Sequence, residues 1–514
     1  MKNNLLIALI VLLSCPLSRA QTSFPKSSKE DREKIMSEAY WEIWNPEVQK
    51  KIDQDIEKHR KADVELTLTD YAPGTEVKIE QISHDFIFGA HIFNYNQLGK
   101  TEYNDRYKAL YGTLFNSATV AFYWKTFEME PDRPRFSEEY WDTEEYWNQV
   151  IEPELEPHWR RPATDPVVEF CESKKIRMHG HPIIWSAPEW HHPEWIFKQF
   201  CPEEEKKIIN KLVKGDLAEL TPSQIEELAP KYVNEINRLF EKRIVELAEY
   251  YKDRIHSWDV VNESRGDFHG NSLTGNKILR SRRAGILMPG DYTYHSFRIA
   301  SRAFPDNVLL NINDNVLWSN EYYDIYINQI KDLLSNGIQI DILGSQMHLF
   351  NPQQCLDIAL GKHIKTPEQT WEKMNKLSEV GLPIHISEVT ITSPGDDERG
   401  RQIQAIIARN LYRLWFSTEK VMGITWWNVV DGCGAPRQTT VSGLFTRDME
   451  PKTSFYALNE LINEEWKTRM TVKATKEGII SFRGYKGRYR VNWKDKSGKM
   501  NQREFDLLKN GDGL

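Results

Sequence analysis

No excess of basic charge marks this 514-residue chain, which carries 67 Lys and Arg against 75 Asp and Glu for a formal net charge of -8. A nucleic-acid binder normally shows a basic face, so the balance argues against a polyanion and for a neutral or weakly charged partner. Beyond the N-terminus no stretch approaches the ~18 apolar residues that a membrane span requires. There is no internal repeat and no low-complexity segment. Cysteine is scarce, at five residues. If Cys15 is lost with a leader, Cys171, Cys201, Cys355 and Cys433 remain; export would permit disulfides among them, but their spacing defines no pairing.

Tryptophan, by contrast, is plentiful at 17 residues. Flat indole faces suit the C–H faces of sugar rings, although many will fill a core. The first residues run Lys2, an apolar stretch from Leu5 to Leu13, then Ser18-Arg19-Ala20, a small-x-small pattern that reads as a secretory leader cleaved before Gln21. Leu12-Leu13-Ser14-Cys15 is similar to a lipoprotein box, with an atypical Leu at its second position and Pro16 directly after it. Export without a lipid anchor is therefore expected, to a secreted or periplasmic location.

Four regions follow from the patterning. Residues 1–20 form the leader. Residues 21–82 hold a charged surface helix, with Met36, Ala39, Tyr40, Ile43 and Trp44 at helical spacing, and then a hairpin: Val64, Leu66 and Leu68 alternate with polar residues, Ala72-Pro73-Gly74 turns, and Val77 and Ile79 resume the alternation. Residues 83–465 repeat short apolar runs between long helix-capable stretches. The runs are Phe86–Phe88, Ala118–Tyr123, Ile176–Trp185, Ile255–Val261, Val308–Ile312, Ile340–Ser345, Ile384–Ser387 and Gly423–Val429. Eight alternating β and α units predict an α/β fold closed as a (β/α)8 TIM barrel. An open doubly wound sheet would announce a Gly-rich first turn, and none follows Phe88. Residues 466–514 return to short alternating strands, a small C-terminal β appendage expected to pack on the barrel.

Two carboxylates end apolar strands, where this fold places chemistry: Glu263 after Trp258–Asn262, and Glu388 after Pro383–Ser387. Either alone is equally well a salt-bridge partner. Together they match the need of glycosidic hydrolysis for two carboxyl groups, one protonated to release the leaving oxygen and one ionised. Other strands also end in polar side chains: His179 and His181, Asn313 and Asp314, Gln346 and His348, then Trp426 and Trp427. Convergent polar groups beside an indole wall describe a sugar pocket, while the bland reading of any one His, His179 above all, is a hydrogen-bonded core residue.

These motifs carry a resemblance. Trp258-Asp259-Val260-Val261-Asn262-Glu263, Gly344-Ser345-Gln346-Met347-His348 and Ile386-Ser387-Glu388 resemble the acid/base, sixth-strand and nucleophile motifs of glycoside hydrolase family 10, the retaining endo-β-1,4-xylanases. Phe86–Gly89, Phe115–Ser117, Gly180–Trp185, Asn311–Asp314 and Thr425–Asp431 agree in order, so the likeness spans about Ser83 to Leu458. It implies Glu263 as acid/base and Glu388 as nucleophile, with Asn262 on the 2-hydroxyl and His348 orienting Glu388. It further implies Lys125, His181, Gln346 and Trp427 around the sugar, Trp185 in the wall, and no cofactor or metal. The partner it implies is a polysaccharide or oligosaccharide; oligomeric state and endo or exo action stay open.

Departures from the family pattern stand beside the matches. A Glu-Asn pair before the lysine is Ala121-Phe122 in this chain, which predicts an altered outer sugar subsite; a His after the third-strand Trp is Ser186; an Asp after the nucleophile is Thr390; and a second eighth-loop Trp is Ala435. Trp426 and the Trp-rich loops at Tyr140–Pro162 and Pro188–Pro202 are expected to rebuild the walls. Two other readings compete. His179 and His181, two apart on a strand, share a face that suits one cation, with Asp431 as a further ligand, although the pair lies on the third strand and no second-metal pattern accompanies it. A catalytically silent glycan-binding protein is the other.

Overall fold

The computed structural model describes residues 35–158, 161–187, 190–214, 224, 227–268, 270, 288–290, 292–316, 320–434 and 440–511. The expected leader and Ala435 lie outside them. Instead of one N-terminal helix there are two, Glu38–Ile43 and Pro46–Arg60, because Asn45 caps the second through Val48 N–H at 3.0 Å and Pro46 occupies its first turn. Their apolar faces are not at the surface: Met36, Tyr40, Trp44, Ile52 and Ile56 are buried in the main core. Asn410 Nδ2 donates to Tyr40 Oη at 2.7 Å, and Arg413 pairs with Asp53 at 2.6 Å, so these helices are stitched to the barrel helix Glu398–Ser417.

Two strands come next, β1 (Lys61–Thr67) and β2 (Glu76–His84), both with alternating burial. The barrel is built from β3 (Ile87–His91), β4 (Ser117–Ala121), β5 (Arg177–His181), β6 (Ile184–Trp185), β7 (Ser257–Asn262), β8 (Leu309–Asp314), β9 (Ile342–Leu349), β10 (Ile384–Ile391) and β11 (Val421–Trp426). Parallel pairing runs β3, β4, β5, β7, β8, β9, β10, β11 and back to β3, so eight strands close. The third expected run is split: Pro182 lacks an N–H for the ladder, and the two residues of β6 then pair separately with the end of β7.

Helices occupy the long stretches between the barrel strands. Pro230–Tyr251 buries Leu239, Phe240, Ile244 and Leu247, each worth about 1.5–3 kcal/mol when removed from water. Pro367–Ser378 opens on a Thr366/Gln369 capping box. Where neighbouring barrel strands crowd together, small residues are required. A Cβ on Gly180 would stand 2.2 Å from the Trp258 ring, and one on Gly344 would stand 2.4 Å from Asn313 Oδ1.

After the barrel come β12 (Arg469–Lys473), β13 (Ile479–Tyr485), β14 (Gly487–Lys494) and β15 (Met500–Leu507). The expected hairpin between β1 and β2 does not exist. β1 pairs antiparallel with β13, and β2 lies between β12 and β14 in a four-stranded sheet ordered β12-β2-β14-β15. Alternation marks a strand but not its neighbour; the apolar faces of Val64, Leu66, Val77 and Ile79 are covered by Ile480, Phe482, Tyr489, Val491 and Trp493 in one small core. The N-terminal strands and the C-terminal appendage are thus one β-sandwich built from both ends of the chain. No helix among the described residues is long and apolar enough to cross a membrane.

Candidate active site

The C-terminal ends of the parallel strands bring Glu263 and Glu388 together. Each belongs to an irregular strand end. The register of β7 against β8 shifts between Asp259 and Val261, and that of β10 shifts against both neighbours around Ser387 and Glu388. Such bulges re-aim side chains near active sites. Gln346, on β9, then links the two acids: its Nε2 donates to Glu388 Oε1 at 2.9 Å and to Glu263 Oε1 at 3.2 Å. One oxygen of each carboxyl group thus shares a single amide nitrogen.

Glu388 is buried and held by several donors. Asn313 Nδ2 reaches its Oε1 at 2.9 Å, His348 Nε2 stands 3.3 Å from Oε2, and His181 Nε2 stands 3.9 Å from Oε1. Asn313 also donates to Asn262 Oδ1 at 2.9 Å and accepts from the Ser387 hydroxyl at 2.5 Å. Glu263 is half-buried, with Trp185 Nε1 donating to its Oε2 at 3.2 Å. Behind His348, Nδ1 lies 2.9 Å from Thr390 Oγ1 and the ring stacks on Phe350 with centroids 4.4 Å apart. The partner of this imidazole nitrogen is therefore a neutral hydroxyl.

A second layer fixes His181. Its Nδ1 is 2.6 Å from Asp259 Oδ2, and His179 Nε2 is 2.9 Å from the same oxygen. Burial alone would lower the His181 pKa, but the Asp259 bond and the charges of Glu388, Asp259 and Glu263 outweigh it and raise it above its ordinary value. Burial would likewise raise Asp259, yet His179 and His181 hold its carboxyl well below the usual range. His179 also meets Ser257 Oγ at 2.9 Å, so both imidazoles are tied to protein partners. Asp431 is engaged elsewhere, accepting from Lys452 Nζ at 3.0 Å and Gly443 N–H at 2.7 Å. Among the described residues, no group of three or more His, Cys, Asp or Glu is arranged to hold a metal ion.

The wall is aromatic. Phe93, Ala121, Tyr123 and Trp427 form a cluster of their own with Trp185 packed against it, and the Trp427 ring meets His181 edge-on at 5.3 Å. Phe122 turns inward onto Trp258, so Tyr123 is what faces His181 and Trp185, with the Arg161 guanidinium 4.0 Å above its ring. Trp426 is not part of this wall: it is fully buried, and its Nε1 donates to Asn428 O at 2.9 Å. Lys125 is half-buried on the one-turn helix Trp124–Phe127 beyond Tyr123, where it acts after Lys198 in lowering the pKa of Glu194.

Asn313, Asp259, Thr390, Tyr123 and Arg161 are further residues that the structure brings to or behind the barrel mouth. The strand-end position of Asn313 was a usable signal. Tyr123 ends the second expected run and Arg161 lies in the loop Tyr140–Pro162 expected to rebuild the walls, but nothing in the sequence singled out either residue.

The family model described as Glycosyl hydrolase family 10 matches residues 80–461. The chain belongs to this family. Endo-1,4-beta-xylanase C of Paenibacillus barcinonensis is 25% identical over 376 residues, 69% of this chain and 29% of that protein. Endo-1,4-beta-xylanase B of Thermotoga neapolitana is 24% identical over 64% of this chain and 80% of its own length. Anti-sigma-I factor RsgI6 of Acetivibrio thermocellus is 25% identical over 64% of this chain and 34% of its own. The chain therefore spans only about a third of two of these three relatives. The crystal structure of xylanase 10B from Thermotoga petrophila RKU-1 in complex with xylobiose superposes with a TM-score of 0.52 at 20% identity, covering 74% of this chain and 95% of that one. Native xylanase 10B from Thermotoga maritima gives 0.51 at 20%, covering 74% and 96%. Both likenesses are to the barrel fold that family 10 shares.

Proposed function

We propose that this family 10 protein is a retaining glycoside hydrolase that cleaves β-1,4-linked xylan or a related β-glycan by double displacement. The observation that carries the reading is the single amide of Gln346 bonded to both Glu263 and Glu388. One donor shared by both acids suits the close pairing of carboxyl groups, roughly 5–5.5 Å apart, with which retaining enzymes attack the anomeric carbon directly.

In this reading Glu388 attacks and forms the glycosyl-enzyme bond while Glu263 gives its proton to the departing oxygen. Glu263 then takes a proton from water, which attacks the anomeric carbon and releases Glu388. Asn262 binds the 2-hydroxyl, His348 orients Glu388, and Lys125, His181, Gln346 and Trp427 hold the sugar beside Trp185. Tyr123 and Arg161, beside Ala121, replace the outer grip of the family pattern, which favours a decorated xylan or short oligosaccharide over a plain backbone. We further infer export by way of a leader at residues 1–20, with residues 83–465 as the catalytic unit.

The test is product release from decorated xylans, xylo-oligosaccharides and mixed β-glucans, comparing wild type with Glu388→Ala. Turnover of a xylan-type substrate that vanishes in the variant is expected. Binding with no turnover on any of them would replace this reading with a silent glycan-binding protein.

A further inference from the structure

The turn that carries Glu263 is bent into a conformation that side chains rarely adopt, and it is held from several sides. Glu263 has φ +54°, in the left-handed region. Its N–H donates to Asn313 O at 2.7 Å. The carbonyl and hydroxyl oxygens of the next residue, buried Ser264, accept from Gln329 Nε2 at 3.4 and 3.0 Å. The N–H of Arg265 then donates to Asp314 Oδ2 at 2.8 Å, with Arg265 Nε 3.5 Å from the other Asp314 oxygen. At the end of the short helix Arg265–Asp267, Asp267 accepts from Tyr292 Oη at 2.9 Å.

Asp314 and Gln329 are both buried, and neither takes part in the double displacement itself. Burial pushes the Asp314 carboxyl up to about 7 despite Arg265 beside it, so burying this group without a purpose would be costly. Their bonds go to the turn that follows Glu263. Glu388, in contrast, is held by Asn313, Gln346 and His348, from β8 and β9.

We propose that Asp314 and Gln329 are positioning residues for the general acid: they clamp Ser264 and Arg265 and so hold the left-handed turn that aims the Glu263 carboxyl. This rests on the reading of Glu263 as acid/base. A loosened clamp misplaces the acid and leaves the nucleophile in position. The loss then depends on how much protonation the leaving group needs, which general damage to the fold would not reproduce.

The experiment measures kcat and KM of the full chain on a β-1,4-xylo-oligosaccharide and on 2,4-dinitrophenyl β-xylobioside, whose leaving group needs no proton. Glu263→Gln serves as the reference for loss of the acid. Asp314→Ala is expected to lower kcat/KM, which reports only the steps up to departure of the leaving group, at least about tenfold more on the oligosaccharide than on the aryl glycoside, within the roughly 10²–10⁴-fold worth of a general acid. Gln329→Leu is expected to repeat the split, and it carries the test if Asp314→Ala does not fold. Asp314→Asn, which keeps an oxygen for the Arg265 N–H, is expected to stay within about threefold of wild type on both substrates. Equal losses on the two substrates in Asp314→Ala and Gln329→Leu, or Asn as damaging as Ala, would overturn the clamp while a split in Glu263→Gln left the acid assignment standing. No split in Glu263→Gln, or no turnover by wild type, would overturn the acid assignment and the clamp with it.

Discussion

His181 and Glu388 face each other across the barrel mouth at 3.9 Å, Nε2 to Oε1, while the other nitrogen of the same imidazole lies 2.6 Å from Asp259. One histidine thus ties a buried acid of β7 to the carboxylate on β10, and its raised pKa reflects both.

Asp259→Asn should therefore destabilise the protein in a pH-dependent way. The His181 pKa is raised, so its stabilising contribution is present below its unfolded value of about 6.5 and fades as pH rises through the folded one. The Asp259 pKa is lowered, so its contribution is present above about 3.9 and fades as pH falls. Denaturant unfolding should show the largest loss between about pH 4 and 6.5, on the order of 3–5 kcal/mol for breaking a buried pair, and a smaller one at pH 9. A loss that does not vary with pH would refute the coupling.

Gln346→Leu keeps the volume and removes the shared donor. Hydrogen bonds to charged groups contribute about 1.5–3 kcal/mol, so kcat/KM should fall by about ten- to a hundredfold. Gly344→Ala should also lower activity, since its Cβ would meet Asn313 Oδ1 at 2.4 Å and push that side chain off Glu388. Steady-state kinetics with a thermal melt separates these effects from unfolding.

Thr390→Val removes the partner of His348 Nδ1 and little else. A net hydrogen bond of about 1 kcal/mol predicts a kcat reduction of roughly fivefold. Thr390→Asp should restore or exceed wild-type kcat by anchoring the ring with a charge. An unchanged kcat in the Val variant would show that His348 needs no support from this side.

The strands of the barrel were legible because each carries a short apolar run, buried on both faces, with helix-length segments between the runs, and the polar groups at their ends could be read as a site. Pairing was harder. β1 and β2 looked like a hairpin because Ala72-Pro73-Gly74 offers a turn, yet the partners of Val64 and Val77 lie near the other end of the chain in β13 and β12, and local alternation says nothing about such contacts. Trp426 and Trp427 were indistinguishable as neighbours in sequence; strand alternation sends one to the helix layer and the other to the pocket. Arg161 and Tyr123 meet only because a long loop folds back over the mouth.

The shared sandwich yields its own expectation. Trp493 packs from β14 into the core that β1 and β2 share, so Trp493→Ala should cost about 3–5 kcal/mol, as for large aromatic truncations in cores. Denaturation curves would check it. A cost under about 1 kcal/mol would mean that the sandwich core contributes little.

The most direct measurement is the anomeric configuration of the first product, followed by proton NMR during hydrolysis of a xylo-oligosaccharide. Initial appearance of the β-anomer, with later mutarotation to the α, is what direct attack by Glu388 predicts. Initial appearance of the α-anomer would contradict it: the amide shared between Glu263 and Glu388 would then not mark a nucleophile and its acid.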